Sequence, residues 1–235
     1  MKIAQNAAHY AVQKPDEVTD LVDFKQPEIS DTDLKAPIYI DFGPTSLSAT
    51  PWNNITSHQE SSTTSWIKDV ENNYTNIGVR VLDGFTATHA GVGSEPASPV
   101  TVDGVEFPLT AWKDGLLVKG EKNQGDVGPG RIEISQLDVA RKYNFTILAI
   151  RFNGSKDARI SSYKLVGKTE SAVKEVKTGI KDAASFAAAN FEEYIAKFEN
   201  VEPDSEGKVI VEVKGLDTGS AAEGHINALC ISLAK

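Results

Sequence analysis

The stretch Asn144-Phe145-Thr146-Ile147-Leu148-Ala149-Ile150-Arg151-Phe152 decides how this chain reads. Phe145, Ile147 and Ala149 fall on one side of an extended segment, and Leu148, Ile150 and Phe152 on the other. With both faces apolar, the segment predicts a strand in the middle of a sheet, covered on each side. Other segments repeat the period of two. Ile38, Ile40 and Phe42 alternate with Tyr39 and Asp41 before Gly43-Pro44 stops the run. Ile77, Val79 and Val81 lead to an Asp83-Gly84 turn. Val100, Val102 and Val105 flank a tight turn at Asp103-Gly104. Leu116 to Val118, Ile132 with Ile134, Ser162 to Val166, Tyr194 to Phe198, Val209 to Val213 and Ile226 to Leu233 add further strands.

Long amphipathic segments that could serve as crossover helices are scarce, so the pattern favours a sandwich over an α/β fold. One short connector helix is expected between Asp182 and Asn190, with Asp182 as N-cap and alanines behind it. The polar run Ser57 to Ser65 and the glycine-rich run Glu121 to Gly130 read as loops. The expected fold is all-β: a jelly-roll β-sandwich over residues 37–235, preceded by an extended N-terminal arm over 1–36.

That arm is acidic, and its only clustered apolar residues are Val18, Leu21, Val22 and Phe24. They suffice for a turn or two of helix after Pro15 but not for a core. The arm therefore takes its order from a surface, its own sandwich's or a partner subunit's. It lacks the apolar central run and small-residue cleavage site of a secretory signal. A net charge of -9 disfavours binding to phosphate backbones, so nucleic acid is not an expected partner. No stretch approaches the roughly 20 apolar residues of a membrane-spanning helix. Cys230 is the only cysteine and, between Leu229 and Ile231, reads as a small core hydrophobe.

Catalytic signatures are missing from the sequence: it has no H-E-x-x-H, no G-x-S-x-G and no phosphate-binding loop. Gly125-x-x-Gly128-x-Gly130 contains Pro129 and reads as a turn. His9, His58, His89 and His225 lack ligand spacing, so no metal ligands are assigned. A structural Ca²⁺ clamped by backbone and Asp oxygens is the one ion left open, although no EF-hand-like loop occurs. No other cofactor is expected. Sugar recognition needs an aromatic platform with planar hydrogen-bonding groups beside it. The candidate platforms are Trp66, Trp52 and Trp112. Trp66, behind the Ser/Thr run, is the most exposed candidate, and Trp52 and Trp112 are expected to pack inside or at strand ends. Asn53, Asn54, Asp114, Arg151 and Arg159 are the candidate polar partners. Asn53, Asn54 and Asn227 also have a structural reading, since Asn can bond backbone in turns.

Several pieces in order carry a resemblance. They are Ile38-Tyr39-Ile40-Asp41-Phe42-Gly43, Trp52-Asn53-Asn54-Ile55-Thr56, Trp112-Lys113-Asp114-Gly115, Tyr163 to Gly167, Val201 to Gly207 and His225-Ile226-Asn227-Ala228-Leu229. From about Ile38 to Leu233 the chain resembles the galactose-binding-like jelly-roll domains appended to secreted proteins of gut Bacteroidetes. The resemblance implies a carbohydrate-binding module rather than an enzyme. A sandwich standing behind an anchoring arm is also similar in layout to bacteriophage decoration and fibre proteins. The expectation is a non-enzymatic adhesion subunit on a virion surface, fastened through Val18, Leu21, Val22 and Phe24 to other protein subunits, with cell-surface or mucin-type glycans as weak ligands. The alternative is a carbohydrate-binding module of a secreted or surface-bound polysaccharide-utilisation protein. A glycan esterase is the third reading.

Overall fold

The computed structural model describes residues 34–120, 125–152, 159–216 and 222–235. The expected arm residues Val18, Leu21, Val22 and Phe24 lie outside these. The chain forms an all-β sandwich. One sheet has five strands in the order β15 (Ile195–Val201), β10 (Tyr143–Leu148), β18 (Ala228–Leu233), β1 (Ile38–Phe42) and β2 (Trp52–Ile55). The other has six: β13 (Lys174–Lys177), β12 (Ile160–Val166), β16 (Val209–Leu216), β9 (Val127–Ser135), β4 (Gly78–Asp83) and β3 (Thr63–Thr64). A smaller sheet of β17 (Glu223–Ile226), β8 (Gly115–Lys119) and β5 (Ala87–His89) closes one end. The hairpin β6 (Val100–Val102) and β7 (Val105–Phe107) and the short parallel pair β11 (Arg151–Phe152) and β14 (Gly179–Ile180) complete the strands. The helices are α1 (Leu109–Lys113) and α2 (Ala183–Ala187).

The alternation in Asn144 to Phe152 sorts its residues between two cores. Phe145, Ile147 and Ala149 join Ile38, Ile40, Phe42, Val79, Ile132, Tyr163 and Val211 in the main core. Leu148, Ile150 and Phe152 join Val100, Phe107, Trp112, Phe186, Tyr194 and Cys230 in a second cluster. Strand β10 pairs with β15 on one side and β18 on the other, so it is central, as its two apolar faces require. The second cluster also accounts for α2. Asp182 accepts hydrogen bonds from the Ser185 N–H and hydroxyl, each 2.8 Å, and Phe186 then stacks on Trp112 with ring centres 5.0 Å apart. Leu34 belongs to the main core and Ala36 is buried, so the body reaches back at least three residues beyond the expected boundary at 37.

Two readings of the sequence need correction. Val127 to Gly130 lie in β9 rather than in a loop, although they carry two glycines and Pro129. Pro129 is tolerated because the pairing of β9 with β16 shifts register there, between Gly130 and Val127, and no ladder N–H is required of it. In the polar run Ser57 to Ser65, Thr63 and Thr64 pair with Arg80 and Val79 and add an edge strand.

On the outer face of the six-stranded sheet, charges run across neighbouring strands. Arg131 bridges Asp83 at 3.1 Å and Glu212 at 3.0 Å, and Lys164 bridges Glu212 at 3.2 Å and Glu170 at 3.3 Å. Glu212 is three-quarters or more enclosed among these cations, and its carboxyl is held below the usual range despite burial. Where β16 meets β17 the backbones nearly touch. A Cβ on Gly215 would lie 2.4 Å from the Glu223 carbonyl carbon, and one on Gly224 would lie 2.6 Å from that of Lys214. Only paired glycines allow this approach. Gly215→Ala is expected to cost about 2–3 kcal/mol by forcing the two strands apart. A chemical-denaturation midpoint unchanged from wild type would refute this.

Candidate functional site

A ribbon between β3 and β4 gathers the groups best suited to a ligand. Lys68 pairs with Tyr74, the Thr75 N–H donates to Ile67 O at 3.0 Å, and the Asp69 N–H donates to Asn73 O at 3.0 Å. The turn is built by one carboxylate. Asp69 Oδ1 accepts from the N–H groups of Glu71 and Asn73, at 3.0 and 2.9 Å, while its Oδ2 accepts from the Asn73 amide at 3.2 Å. Ile67, Thr75 and Ile77 are buried. Their neighbours Trp66, Lys68, Tyr74 and Asn76 alternate with them and face solvent.

Two aromatic rings are thus offered outward. Trp66 keeps 40% of its surface exposed and Tyr74 47%, values that matter because such rings normally gain by burial. Trp66 also holds φ at +53°, a left-handed conformation that costs a bulky residue about 1 kcal/mol or more. Neither feature stabilises the fold. The Lys68 ammonium sits 4.6 Å from the Tyr74 ring centre and donates to Asn72 Oδ1 at 3.0 Å. Next to the ribbon lies an open depression of about 350 Å³, lined by Asn76, Gln136, Leu137, Asp138, Val139, Ser205, Glu206 and Gly207. Asn76 belongs to both. Aromatic faces suited to sugar C–H groups therefore adjoin amides and carboxylates suited to hydroxyls.

Asn53 anchors this platform. Its amide donates to Lys68 O and accepts from Lys68 N–H, both at 2.8 Å, and donates to Tyr39 O at 2.9 Å. It acts as a backbone substitute that ties the ribbon to β2, which is the structural reading of this residue. Asn54 is also occupied: it accepts from Ser48 N–H at 2.8 Å and donates to Ser48 O at 3.0 Å. Trp52 is half-buried between Tyr39 and Phe107, with ring centres 5.1 and 5.7 Å away. Trp112 is fully buried and cannot present a ring face to a sugar. Asp114 is also fully buried, and its Oδ2 accepts from Thr45 N–H at 2.8 Å, Thr45 Oγ1 at 2.7 Å and Ser46 N–H at 3.1 Å. Arg151, against His89, and Arg159, against Glu223, enter a polar cluster at the opposite end of the sandwich. The eight candidates therefore divide among separate places, and only Trp66 lies on the ribbon, with Asn53 behind it.

Tyr74, Lys68, Asn76 and Gln136 were not singled out from sequence. The signal was present in Trp66-x-Lys68 and Tyr74-x-Asn76 flanking an Asp69-x-x-x-Asn73 turn, but the apolar positions between them are too few to read as strands. Two histidines that sequence separates are brought together: His89 and His225 meet edge to face, 5.2 Å between ring centres. Among the described residues no three His, Cys, Asp or Glu side chains gather as metal ligands.

Comparison with known proteins adds little. No family model matches the chain, and no curated protein matches it. Among solved structures it is similar to the carbohydrate-binding module TmCBM61, determined with β-1,4-galactotriose, at 13% identity and a TM-score of 0.32 over 52% of this chain and 71% of that one. It is also similar to the insecticidal δ-endotoxin Cry8Ea1 of Bacillus thuringiensis, at 12% identity and a TM-score of 0.29 over 52% of this chain and 20% of that one. At these values the two likenesses assign no ligand to this chain.

Proposed function

We propose that this protein is a non-enzymatic glycan-binding β-sandwich whose ligand lies across the Trp66–Tyr74 ribbon and reaches into the Asn76–Gln136 depression. The observation that carries the reading is Trp66, an exposed indole held in a left-handed conformation that folding alone does not favour. Strain of this kind is kept where a side chain must point at something. Fastening of the chain to a larger particle, such as a virion, rests on the acidic, core-poor character of residues 1–36 alone. Many copies on one particle would convert weak single contacts into avidity.

Trp66→Gly separates binding from folding. Glycine accepts the backbone angle but gives up the covered part of the indole, so the variant is expected to fold with a stability about 1–3 kcal/mol below wild type. Its affinity for any glycan captured by the wild type on an array is expected to fall at least about tenfold, the worth of one stacked ring. Tyr74→Ala should weaken the same glycans. Unchanged binding by a folded Trp66→Gly protein would overturn the assignment.

A further inference from the structure

At the other end of the sandwich, six polar side chains from distant parts of the sequence are packed out of solvent. His89 comes from β5, Arg151 from β11, Arg159 from the segment entering β12, Thr178 from the segment entering β14, and Glu223 and His225 from β17. All but Arg151 are buried, and Arg151 is half-buried. Arg151 Nη1 donates to His89 Nδ1 at 3.2 Å. Asn227 Nδ2 lies 3.4 Å from His89 Nε2, while its amide hydrogens go to Trp112 O and Asp114 O. Because an arginine can only donate, His89 Nδ1 accepts and the ring is neutral.

Among the described residues the charges do not balance. Arg151 and Arg159 carry two positive charges, and Lys119 reaches the rim of the cluster, 3.9 Å from Glu223. Glu223 is the only carboxylate of the described residues buried inside it. Glu95 acts on Arg151 from farther away while its own oxygens accept from Val92 and Gly93 N–H groups. Glu223 does not satisfy its partners either. Arg159 Nη2 approaches its Oε2 at 3.0 Å and His225 Nε2 at 3.4 Å, yet neither contact has the alignment of a hydrogen bond. Buried and without a hydrogen-bond partner are Arg151 Nε, Arg159 Nε and Nη1, Thr178 Oγ1 and both ring nitrogens of His225. Most of these are N–H or O–H donors on or beside cations. Leaving several such donors bare in one buried place is expensive, and an ion that accepts from all of them removes the cost.

We propose that this cluster binds a small monovalent anion, chloride or a short carboxylate, between the guanidinium groups of Arg151 and Arg159. The free Nε–H and Nη–H edges of a guanidinium match such an anion, and the Thr178 hydroxyl and the His225 ring supply further donors. A divalent cation is disfavoured at the same place by the two arginines. The site is independent of the aromatic ribbon, and glycan binding can fail or succeed without affecting it.

Thermal unfolding in a buffer of bulky organic sulfonate, at constant ionic strength, tests this with sodium chloride and sodium formate titrated separately. Wild type is expected to show a saturating rise in Tm of about 5 °C at a hundredfold excess over Kd in at least one of the two salts. The salt that gives it identifies the anion's source. Arg159→Gln should abolish the saturating response. Glu223→Gln, which removes the competing carboxylate, should lower the half-saturating concentration at least about tenfold. Crystals of wild type grown with sodium bromide should show an anomalous peak between the two guanidiniums, a readout that survives if Arg159→Gln does not fold. Equal, non-saturating responses in every salt would overturn the proposal, and so would bromide-containing crystals without that peak when sodium chloride is the salt that gives the saturating response.

Discussion

Asn227→Leu should lower the free energy of unfolding by about 4 kcal/mol, although the substitution keeps the number of side-chain heavy atoms and adds apolar surface. Asn227 interrupts the chain between β17 and β18, and its side chain holds three separate backbones together. Oδ1 accepts from Ile150 N–H at 2.7 Å, and Nδ2 donates to Trp112 O at 3.0 Å and Asp114 O at 2.6 Å. Its main chain adds a bond from its own N–H to Leu148 O at 3.1 Å and accepts from Phe42 N–H at 2.8 Å. Leucine cannot replace any of the side-chain bonds. One buried N–H and two buried carbonyls would be orphaned, at about 1–3 kcal/mol each before relaxation. Asn227→Asp is the informative control. It keeps the acceptor for Ile150 but turns a carboxylate oxygen on two carbonyls, so it should be at least as damaging. Denaturant unfolding followed by tryptophan fluorescence measures both. A loss under about 1 kcal/mol for the leucine variant would show that water can take the amide's place.

Asp41→Asn should act in the opposite direction and reveal itself through pH. Asp41 is fully buried beneath the loop from Gly43 to Ser48, where its Oδ2 accepts from Ser48 N–H at 3.0 Å and its Oδ1 has no partner. Burial, reinforced by the nearby Asp114 carboxylate and opposed by the bonds from Ser48, raises its pKa to about 7. The folded protein therefore retains a proton that the unfolded chain releases from about pH 4 upward. Stability falls as pH rises through that window, and it stays low above about pH 7. The full effect is at most about 4 kcal/mol. His89 tilts the balance the other way. Burial, with His225, Arg151 and Arg159 around it, holds its pKa well below the ordinary 6.5, so stability falls as pH drops below that value. His225 shares that direction: burial lowers its pKa, while Glu223 works against the shift. In wild type the opposing slopes partly cancel between about pH 4 and 6.5. Asp41→Asn should stabilise the protein at pH 7.5 and leave a stability that climbs with pH to about 6.5 and then levels. An unchanged pH profile would show that Asp41 is ionised in the folded state.

Wherever a single segment holds all the information, the sequence already displays the structure. Asn144 to Phe152 announces a strand between two cores because both of its faces are apolar, although the strand stops at Leu148, and Arg151 and Phe152 pair instead with Gly179 and Ile180 in a separate sheet. Asp103-Gly104 announces a hairpin because both residues accept positive φ, here +51° and +77°. Asp182 announces a helix start because its carboxylate has an N–H three residues on to accept from. The groups proposed to bind ligands were harder to read because they depend on assembly. Trp66 stands out as a tryptophan behind a polar run, but Tyr74 becomes its neighbour only when Asp69 closes the turn. Arg151 and Arg159 read only as candidate polar partners for a sugar until β5 and β17 bring His89, His225 and Glu223 beside them. Trp112 and Asp114 are of the right chemical type for a sugar site, and only tertiary packing shows that both are enclosed.

The hold of Asn53 on Lys68 has a consequence for how the molecule behaves in company. β2 is the last strand of its sheet, and such a strand invites a neighbouring molecule to continue the ladder. Here one side-chain amide imitates the missing strand and draws the ribbon over that border. The platform proposed for a ligand is thus also a cover for the sheet border. Loosening its tether is expected to leave the border open to aggregation.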